Sequence, residues 1–163
     1  MVHFSLVVEA LILLGVANAT PVLARKVCGS RFARPIDGGA NFLDGRPWLG
    51  PSKTIRGVLV AIVATAAASP LLGLEMTIGA VVGGTAMAGD LSSSFVKRRL
   101  GFPSSSRATG LDQIPESLFP LLACRGWLPL TPLDILIGVA TFVVGDIVLS
   151  RAFYHLGFRD HPY

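Results

Sequence analysis

Charged side chains are scarce in this chain. They make up 15% of its 163 residues, whereas hydrophobic residues make up 52%. A soluble domain of this length usually carries about 25% charged residues. The composition therefore disfavours a soluble globular domain and predicts an integral membrane protein with a single membrane domain, residues 1–163.

Cysteines and grouped metal ligands are also scarce. The two cysteines, Cys28 and Cys124, fall in a polar segment and an apolar segment, so we expect both to be free thiols. Neither belongs to a Cys/His spacing typical of a zinc site. The cations are not interleaved with aromatic residues, as they are in proteins that bind single-stranded nucleic acid. We therefore expect no disulfide framework and no nucleic-acid partner.

The chain does contain five long apolar segments: residues 4–24, 57–74, 76–95, 112–130 and 132–154. They reach or approach the roughly 17–25 residues that a membrane-spanning helix needs. We predict an all-α integral membrane protein with about five transmembrane helices. Two polar cytoplasmic loops, residues 25–56 and 96–111, carry most of its charge.

The basic residues indicate how the chain is oriented. Segment 25–56 carries seven Lys and Arg residues and segment 97–107 carries four. With five spans both segments fall on one side, which the positive-inside rule assigns to the cytoplasm. We expect a multi-pass cell-membrane protein with an external N-terminus. Its basic face suits nucleotide phosphates or anionic lipid headgroups, and anchoring to anionic lipid alone is the simpler alternative.

The first polar loop is rich in turn residues. Asp37-Gly38 and Asp44-Gly45 are turn signals. Phe42 and Trp48 are unusual in a freely solvated loop, so we expect the loop to be anchored and to bind a ligand. The stretch GPSKT, residues 50–54, lacks the second glycine of a phosphate-binding P-loop, which excludes a P-loop NTPase.

A helix is predicted to begin near Gly57. Helix N-termini attract anions, so polar residues just before this one are candidates for phosphate binding. These candidates are Ser52, Lys53, Thr54 and Arg56.

The stretch GDLSSSFVKRRLG, residues 89–101, places charge directly after an apolar segment. In a continuous helix one face carries Asp90, Ser93, Ser94 and Lys97. A carboxylate at the edge of a span is costly and is by default a functional candidate. The alternative is an Asp90 that merely pairs with Lys97 or a nearby arginine.

The stretch LDQIPES, residues 111–117, adds Asp112 and Glu116. Asp112 has two interpretations. It caps a helix whose first turn contains Pro115, or it lies beside Asp90 across the interhelical loop. In the second interpretation the two carboxylates bind Mg²⁺ with a polyphosphate. The flanking cations are then Lys53, Arg56, Lys97 and Arg98.

Four stretches in order, PIDGG (35–39), FLDGRPWLGPSKTIRG (42–57), GDLSSSFVKRRLG and LDQIPES, closely resemble the archaeal CDP-archaeol synthase family. These enzymes are CTP-dependent cytidylyltransferases distantly related to CDP-diacylglycerol synthases. The resemblance covers residues 20–120, and the five-span layout fits the rest. The glycine- and aspartate-rich signature of the phosphatidate enzymes is shortened here to LDQIPES. The partition of metal ligands among Asp90, Asp112 and Glu116 therefore stays open.

The resemblance implies that CTP and a digeranylgeranylglycerol phosphate, an isoprenoid glycerol phosphate lipid of the bilayer, give CDP-archaeol and pyrophosphate. It implies Mg²⁺ held by Asp90 and Asp112, with Lys53 and Lys97 as further catalytic residues. Candidates for contacts with cytosine and ribose are Asp37, Gly38, Gly39, Asn41, Asp44 and Arg46. Candidates for phosphate contacts are Ser52, Lys53, Thr54, Arg56, Ser93, Ser94, Lys97 and Arg98.

One further carboxylate, Asp146, lies in the last apolar segment. GDIVLSRAFYHLGF, residues 145–158, repeats features of GDLSSSFVKRRLGF, residues 89–102. Chance similarity is the alternative to an internal repeat. If the repeat is real, Asp146 is a structural partner in the bundle or a residue that supports the site.

The sequence also has to be weighed against three other classes of function. A small transporter would place polar residues through its spans, whereas here they cluster at one face. A non-enzymatic lipid-binding scaffold would not need Asp90 and Asp112. A CDP-alcohol phosphotransferase would need more aspartates along adjacent helices.

Overall fold

Five α-helices make up most of residues 2–155, the part of the chain that this computed structural model describes. They are α1 (Phe4–Cys28), α2 (Ile55–Ala68), α3 (Met76–Arg99), α4 (Gln113–Ala123) and α5 (Pro132–His155). Short 3₁₀ turns, Ser69–Leu72 and Cys124–Gly126, extend α2 and α4. Residues 2–155 contain isolated bridges but no β-strand. The predicted all-α class is confirmed, while the end of the predicted repeat, residues 156–158, lies outside the described residues.

Within residues 2–155, three helical stretches are long and apolar enough to cross a membrane: Phe4–Cys28, Ile55–Leu72 and Pro132–Leu149. Helix α3 has 24 residues, but its glycines, serines and terminal cations lower its hydropathy. Helix α4 has only 11 residues. At about 1.5 Å per residue it covers roughly half of a hydrocarbon core about 30 Å thick. It continues through Pro120 and ends at Ala123, where the 3₁₀ turn Cys124–Gly126 replaces it, so it is shorter than the predicted segment 112–130.

Glycines let the neighbouring helices approach α3 closely. A Cβ at Gly79 would lie 2.3 Å from the carbonyl oxygen of Thr65 in α2, and one at Gly83 would lie 2.2 Å from Thr65 Oγ1. Further along α3, a Cβ at Gly89 would lie 2.3 Å from the carbonyl oxygen of Pro115 in α4. Small residues four apart are a common means of close helix packing in membranes. Helix α3 is thus held tightly between α2 and α4.

One end of the bundle is closed by a buried carboxylate. Asp134, at the start of α5, accepts hydrogen bonds from His3 N at 2.9 Å and from Thr131 N at 2.8 Å. His3 Nδ1 lies 3.0 Å from the same carboxylate. Helices α1 and α5 therefore begin at the same end. The polar segments 29–54 and 100–112 lie at the opposite end, where α1 and α3 finish.

Candidate active site

Two lysine–aspartate pairs lie at the polar end of the bundle. Lys53 Nζ lies 2.6 and 2.7 Å from the two carboxylate oxygens of Asp90 in α3. Two turns along α3, Lys97 Nζ lies 2.7 Å from Asp112 Oδ1, just before α4. The alternative in which Asp90 pairs with Lys97 is therefore wrong. The two carboxylates come from different elements, Asp90 from α3 and Asp112 from the segment before α4. The Lys53–Asp90 pair is partly exposed, whereas Lys97 is buried.

The start of α2 positions Lys53. Thr54 Oγ1 accepts a hydrogen bond from Gly57 N at 3.1 Å, and the helix begins at Ile55, two residues from the predicted start near Gly57. The carbonyl of Lys53 accepts from Ile36 N at 2.9 Å. Thr54 is thereby used as a helix cap. The Lys53 ammonium is left to extend from the helix N-terminus to Asp90.

Asp112 does not cap α4. It occupies the position before the helix, but its side chain makes no capping hydrogen bond. Its Oδ2 instead accepts from Ala108 N at 2.9 Å. Lys97 Nζ donates to the carbonyl of Ser106 at 2.7 Å in addition to meeting Asp112. The capping interpretation is therefore wrong, and Lys97 ties the segment before α4 to α3.

Arg98 is buried with part of its guanidinium unused. Its exposed fraction is 4%, and its Nε and Nη1 atoms have no hydrogen-bond partner within residues 2–155. A Cβ built on Gly50 would lie 3.7 Å from Arg98 Nη1 and 2.7 Å from Ser104 Oγ. Leaving buried donors unpaired is costly. Arg98 thus carries two buried donor atoms without a hydrogen bond where the two loops meet.

The predicted polar face of α3 is only partly available. Ser93 and Ser94 are buried, and Ser93 Oγ donates to the carbonyl of Asp90 at 3.0 Å.

Glu116 lies within electrostatic range of Asp90, Asp112, Asp146 and Lys53. Among residues 2–155, no three His, Cys, Asp or Glu side chains are grouped closely enough to hold a metal by themselves.

Asp37 organises the first polar loop. Its Oδ1 accepts from Gly39 N at 3.0 Å, and its Oδ2 accepts from Leu49 N and Gly50 N at 3.0 and 2.9 Å. Desolvation raises the pKa of the Asp37 carboxyl, but these backbone N–H groups together hold that pKa below its usual value of 3.8. Gly38 and Gly39 turn with φ values of 59° and 83°, which confirms the turn predicted there.

We expect Asp37→Asn to lower the free energy of unfolding at pH 7 by about 1.5–3 kcal/mol, the value of hydrogen bonds to a charged group. Because the folded-state pKa is depressed, this stabilisation is present above the usual value of 3.8 and is lost as the pH falls through the folded-state pKa. Thermal unfolding in detergent from pH 7 down to acid checks both points. If the difference in unfolding temperature between wild type and Asp37→Asn stayed constant as the pH falls, the explanation by a charged carboxylate would be contradicted.

A second set of contacts fastens this loop to the end of α3. Arg99 Nη1 lies 2.6 Å from Asp44 Oδ1, and Arg46 Nη1 donates to the carbonyl of Arg99 at 2.7 Å. The Phe42 ring packs edge-on against Trp48 and Phe95, with centroids 5.1 and 5.4 Å apart. The loop is anchored, as predicted. Asp44 and Arg46 act in this anchoring. Arg99, whose KRR stretch the sequence had suggested for phosphate contacts, acts in it as well.

The remaining predicted residues lie elsewhere. Arg56 Nη1 donates to the carbonyls of Gly29 and Arg31, so its head group closes the end of α1 and does not pair with Asp90 or Asp112. Asn41 and Ser52 are exposed on the loop. Ion pairs join Lys53 to Asp90 and Lys97 to Asp112. Glu116 lies within electrostatic range of both carboxylates, and Arg98 within range of Asp112. This is a smaller set than the sequence suggested.

Comparison with known proteins gives a consistent result. The chain matches the family model of CarS-like CDP-archaeol synthase over residues 4–163. It is 42% identical to the CDP-archaeol synthase of Aeropyrum pernix, over 96% of this chain and 92% of that protein. It is 33% identical to that of Pyrobaculum calidifontis, over 91% of each. The match to the Hyperthermus butylicus CDP-archaeol synthase is 40% identical and spans 66% of this chain and 64% of that protein.

A solved structure of an intramembrane enzyme for archaeal membrane lipid biosynthesis has the same fold. It superposes with a TM-score of 0.76 and 32% sequence identity, over 87% of this chain and 90% of that one. These relatives confirm the predictions of a membrane enzyme and of a CTP-dependent nucleotidyltransferase. They exclude the scaffold and transporter alternatives. The chain belongs to the CarS-like CDP-archaeol synthase family.

Proposed function

We propose that this enzyme transfers a cytidylyl group from CTP to digeranylgeranylglycerol phosphate, giving CDP-archaeol and pyrophosphate with the help of Mg²⁺. The observation that carries the proposal is the convergence of two lysine–aspartate pairs and a buried, partly unpaired arginine at one end of the bundle. The family membership supplies the class of reaction.

The cations of this site suit a polyphosphate. Lys53 Nζ and Lys97 Nζ are each held by one carboxylate, while Arg98 has donors to spare. An ammonium paired with one carboxylate can also bind a phosphate oxygen, since it carries three donors. The three residues approach from the start of α2 and the end of α3. They can therefore contact different phosphates of one nucleotide.

Asp90 and Asp112 fit Mg²⁺ by their chemistry. Both offer carboxylate oxygens, which this hard cation prefers, and Mg²⁺ is often held by only one or two carboxylates together with substrate phosphates. The lysines now on these oxygens would shift toward phosphate. When bound, the ion would neutralise charge on the CTP phosphates. Glu116 is the nearby alternative ligand.

The reaction is an in-line displacement. An oxygen of the lipid phosphate attacks the α-phosphorus of CTP, the bond from that phosphorus to the bridging oxygen of the β-phosphate breaks, and pyrophosphate leaves with the electron pair. The second pKa of a phosphate monoester is about 6, so the lipid is already mostly dianionic near pH 7 and needs no strong base. The reaction barrier arises largely from the repulsion between two anions that must approach each other. The cations of the site, Lys53, Lys97 and Arg98, lower this barrier by neutralising charge and by positioning both reactants.

The position of the site suits substrates from two phases. The polar segments carry the excess of Lys and Arg, so we assign this end to the cytoplasm and the N-terminus to the exterior of the cell membrane. Soluble CTP then reaches the site from the cytoplasm. The lipid phosphate lies at the same boundary while its isoprenoid chains remain in the bilayer.

The proposal is tested by pyrophosphate release from purified protein in detergent. We expect release only when CTP, Mg²⁺ and digeranylgeranylglycerol phosphate are all present, with loss on chelation and recovery on adding Mg²⁺. Digeranylgeranylglycerol without its phosphate, and ATP in place of CTP, are the matched controls. Folded protein that releases no pyrophosphate with the complete mixture would overturn the proposed reaction.

A further inference from the structure

Asp146 of α5 reaches across to the start of α4. Gln113 Nε2 donates to Asp146 Oδ2 at 2.9 Å, and Arg107 Nη2 lies 3.9 Å from the same oxygen. Gln113 is buried, with 5% of its surface exposed. Neither Gln113 nor Arg107 belongs to the candidate site, but both lie in the segment 107–113, which carries Asp112. Asp146 thus connects α5 to this segment.

The bond to Asp146 and a bond from Gly110 together fix which way the Gln113 amide faces. A glutamine amide has one end that donates and one end that accepts. Because Nε2 donates to Asp146, Oε1 is directed to Gly110 N, from which it accepts a hydrogen bond at 2.7 Å. Without an acceptor at position 146, Nε2 loses its partner, and the amide is held only by the hydrogen bond from Gly110 N to Oε1. The turn at Gly110, which has a φ of 86°, would then be held by a glutamine side chain that is itself fixed at only one end.

This turn holds Asp112 in place. Ala108 N donates to Asp112 Oδ2 at 2.9 Å, and Asp112 Oδ1 meets Lys97 at 2.7 Å. The residue next to Asp112 is Gln113 itself. A change in the 107–113 segment therefore displaces the Asp112 carboxylate relative to α3.

We propose that Asp146 is a positioning residue that acts through Gln113 and Arg107 to set Asp112 against Lys97 in the nucleotide site. The inference rests on the proposed function. It assigns to α5 a role in the reaction, although its carboxylate contacts α4 and the preceding turn rather than substrate. It also gives Asp146 a function that does not require the sequence repeat.

The test compares Asp146→Leu with Asp146→Asn. We expect Asp146→Leu to lower kcat/KM for CTP about 10²-fold, the scale of a misplacement of about 1 Å. The KM for the lipid should stay within about twofold, because Asp112 is assigned to the nucleotide. Asn keeps an oxygen for Gln113 and loses only the charge facing Arg107. It should therefore restore kcat/KM to within about fivefold of wild type, the weak effect typical of a partly exposed pair.

Asp134→Asn is the matched control. It alters a buried carboxylate on the same helix, 12 residues or about 18 Å from Asp146. We expect it to lower the thermal unfolding temperature without changing the KM for CTP. If Asp146→Leu behaves like this control, or if Asn fails to restore activity, the inference is overturned.

Two further results distinguish a failure of this inference from a failure of the proposed function. If Asp146→Leu does not fold, Gln113→Leu interrupts the same relay and should reproduce the selective loss of kcat/KM for CTP. An unchanged kcat/KM in that variant would overturn the relay. Wild-type protein that is folded but inactive would instead overturn the proposed function.

Discussion

Replacing Asp90 by Asn should lower turnover by about 10²–10³-fold with little change in the fold, a loss similar to that of removing one electrostatic group from an active site. Both Asp90 carboxylate oxygens contact Lys53 Nζ, at 2.6 and 2.7 Å. Asn keeps the shape but carries no charge, so it neither orients Lys53 nor offers a carboxylate to Mg²⁺. Pyrophosphate release measures the loss, and the thermal unfolding temperature shows whether the protein remains folded. Glu75→Gln, at the opposite end of α3, is the control and should retain activity.

A charge swap separates catalysis from stability. The double variant Lys53→Asp with Asp90→Lys restores an ion pair between the same positions. We expect it to recover most of the unfolding temperature lost in the Lys53→Asp single variant, but not turnover. The swap moves the carboxylate to the start of α2 and the ammonium into α3. Recovery of full activity would assign the pair a structural role only.

Replacing Gly89 by Ala should disable the enzyme without touching any charged group. The new Cβ would lie 2.3 Å from the carbonyl oxygen and 2.5 Å from the carbonyl carbon of Pro115. These are backbone atoms, so α4 must move away from α3. Overpacking of this kind costs about 1–3 kcal/mol. A shift of about 1 Å between Asp90 and the start of α4 should lower kcat/KM about 10²-fold.

Gly84→Ala is a close control for this prediction. Gly84 lies on the same helix, but a Cβ there would meet no atom within 4 Å. Because Ala favours helix more than Gly does, we expect unchanged activity and an equal or higher unfolding temperature. Thermal unfolding and steady-state kinetics on both variants decide the matter. Equal effects of the two substitutions would contradict the close-packing explanation.

Hydropathy was sufficient to predict the class of protein and the approximate position of each helix. In lipid a helix satisfies its backbone hydrogen bonds within one continuous stretch of sequence, so an apolar stretch of sufficient length indicates it. Hydropathy did less well for α4, which ends at Ala123 rather than at residue 130. Turn signals also succeeded: Asp37-Gly38 and Asp44-Gly45 turn with positive φ at both glycines. The side-chain bonds of Asp37 and Asp44 were not predictable, because their partners are set by the path of the loop.

Pairing within the site depended on packing. Helical spacing placed Asp90 and Lys97 on one face and left a pair between them as an alternative, yet Lys53 reaches Asp90 and Lys97 reaches Asp112. The close approach at Gly79, Gly83 and Gly89 brings α2 and α4 within reach of α3. Ion pairs between helices depend on such distances. No residue spacing within one helix could have indicated them.

The sequence by itself determined that this is a helical membrane protein of the CDP-archaeol synthase family, since apolar length and ordered motifs are both written along the chain. It also selected Asp90, Asp112, Lys53, Lys97 and Arg98 as candidates. Only the tertiary structure decided which carboxylate each lysine meets. It also decided that the side chains of Thr54, Asp37 and Arg56 form hydrogen bonds with backbone groups. It decided, finally, that Asp146 forms a hydrogen bond with Gln113, the neighbour of Asp112. Hydrophobic burial acts on stretches of sequence, whereas hydrogen bonds and ion pairs act over about 3 Å between residues that folding brings together.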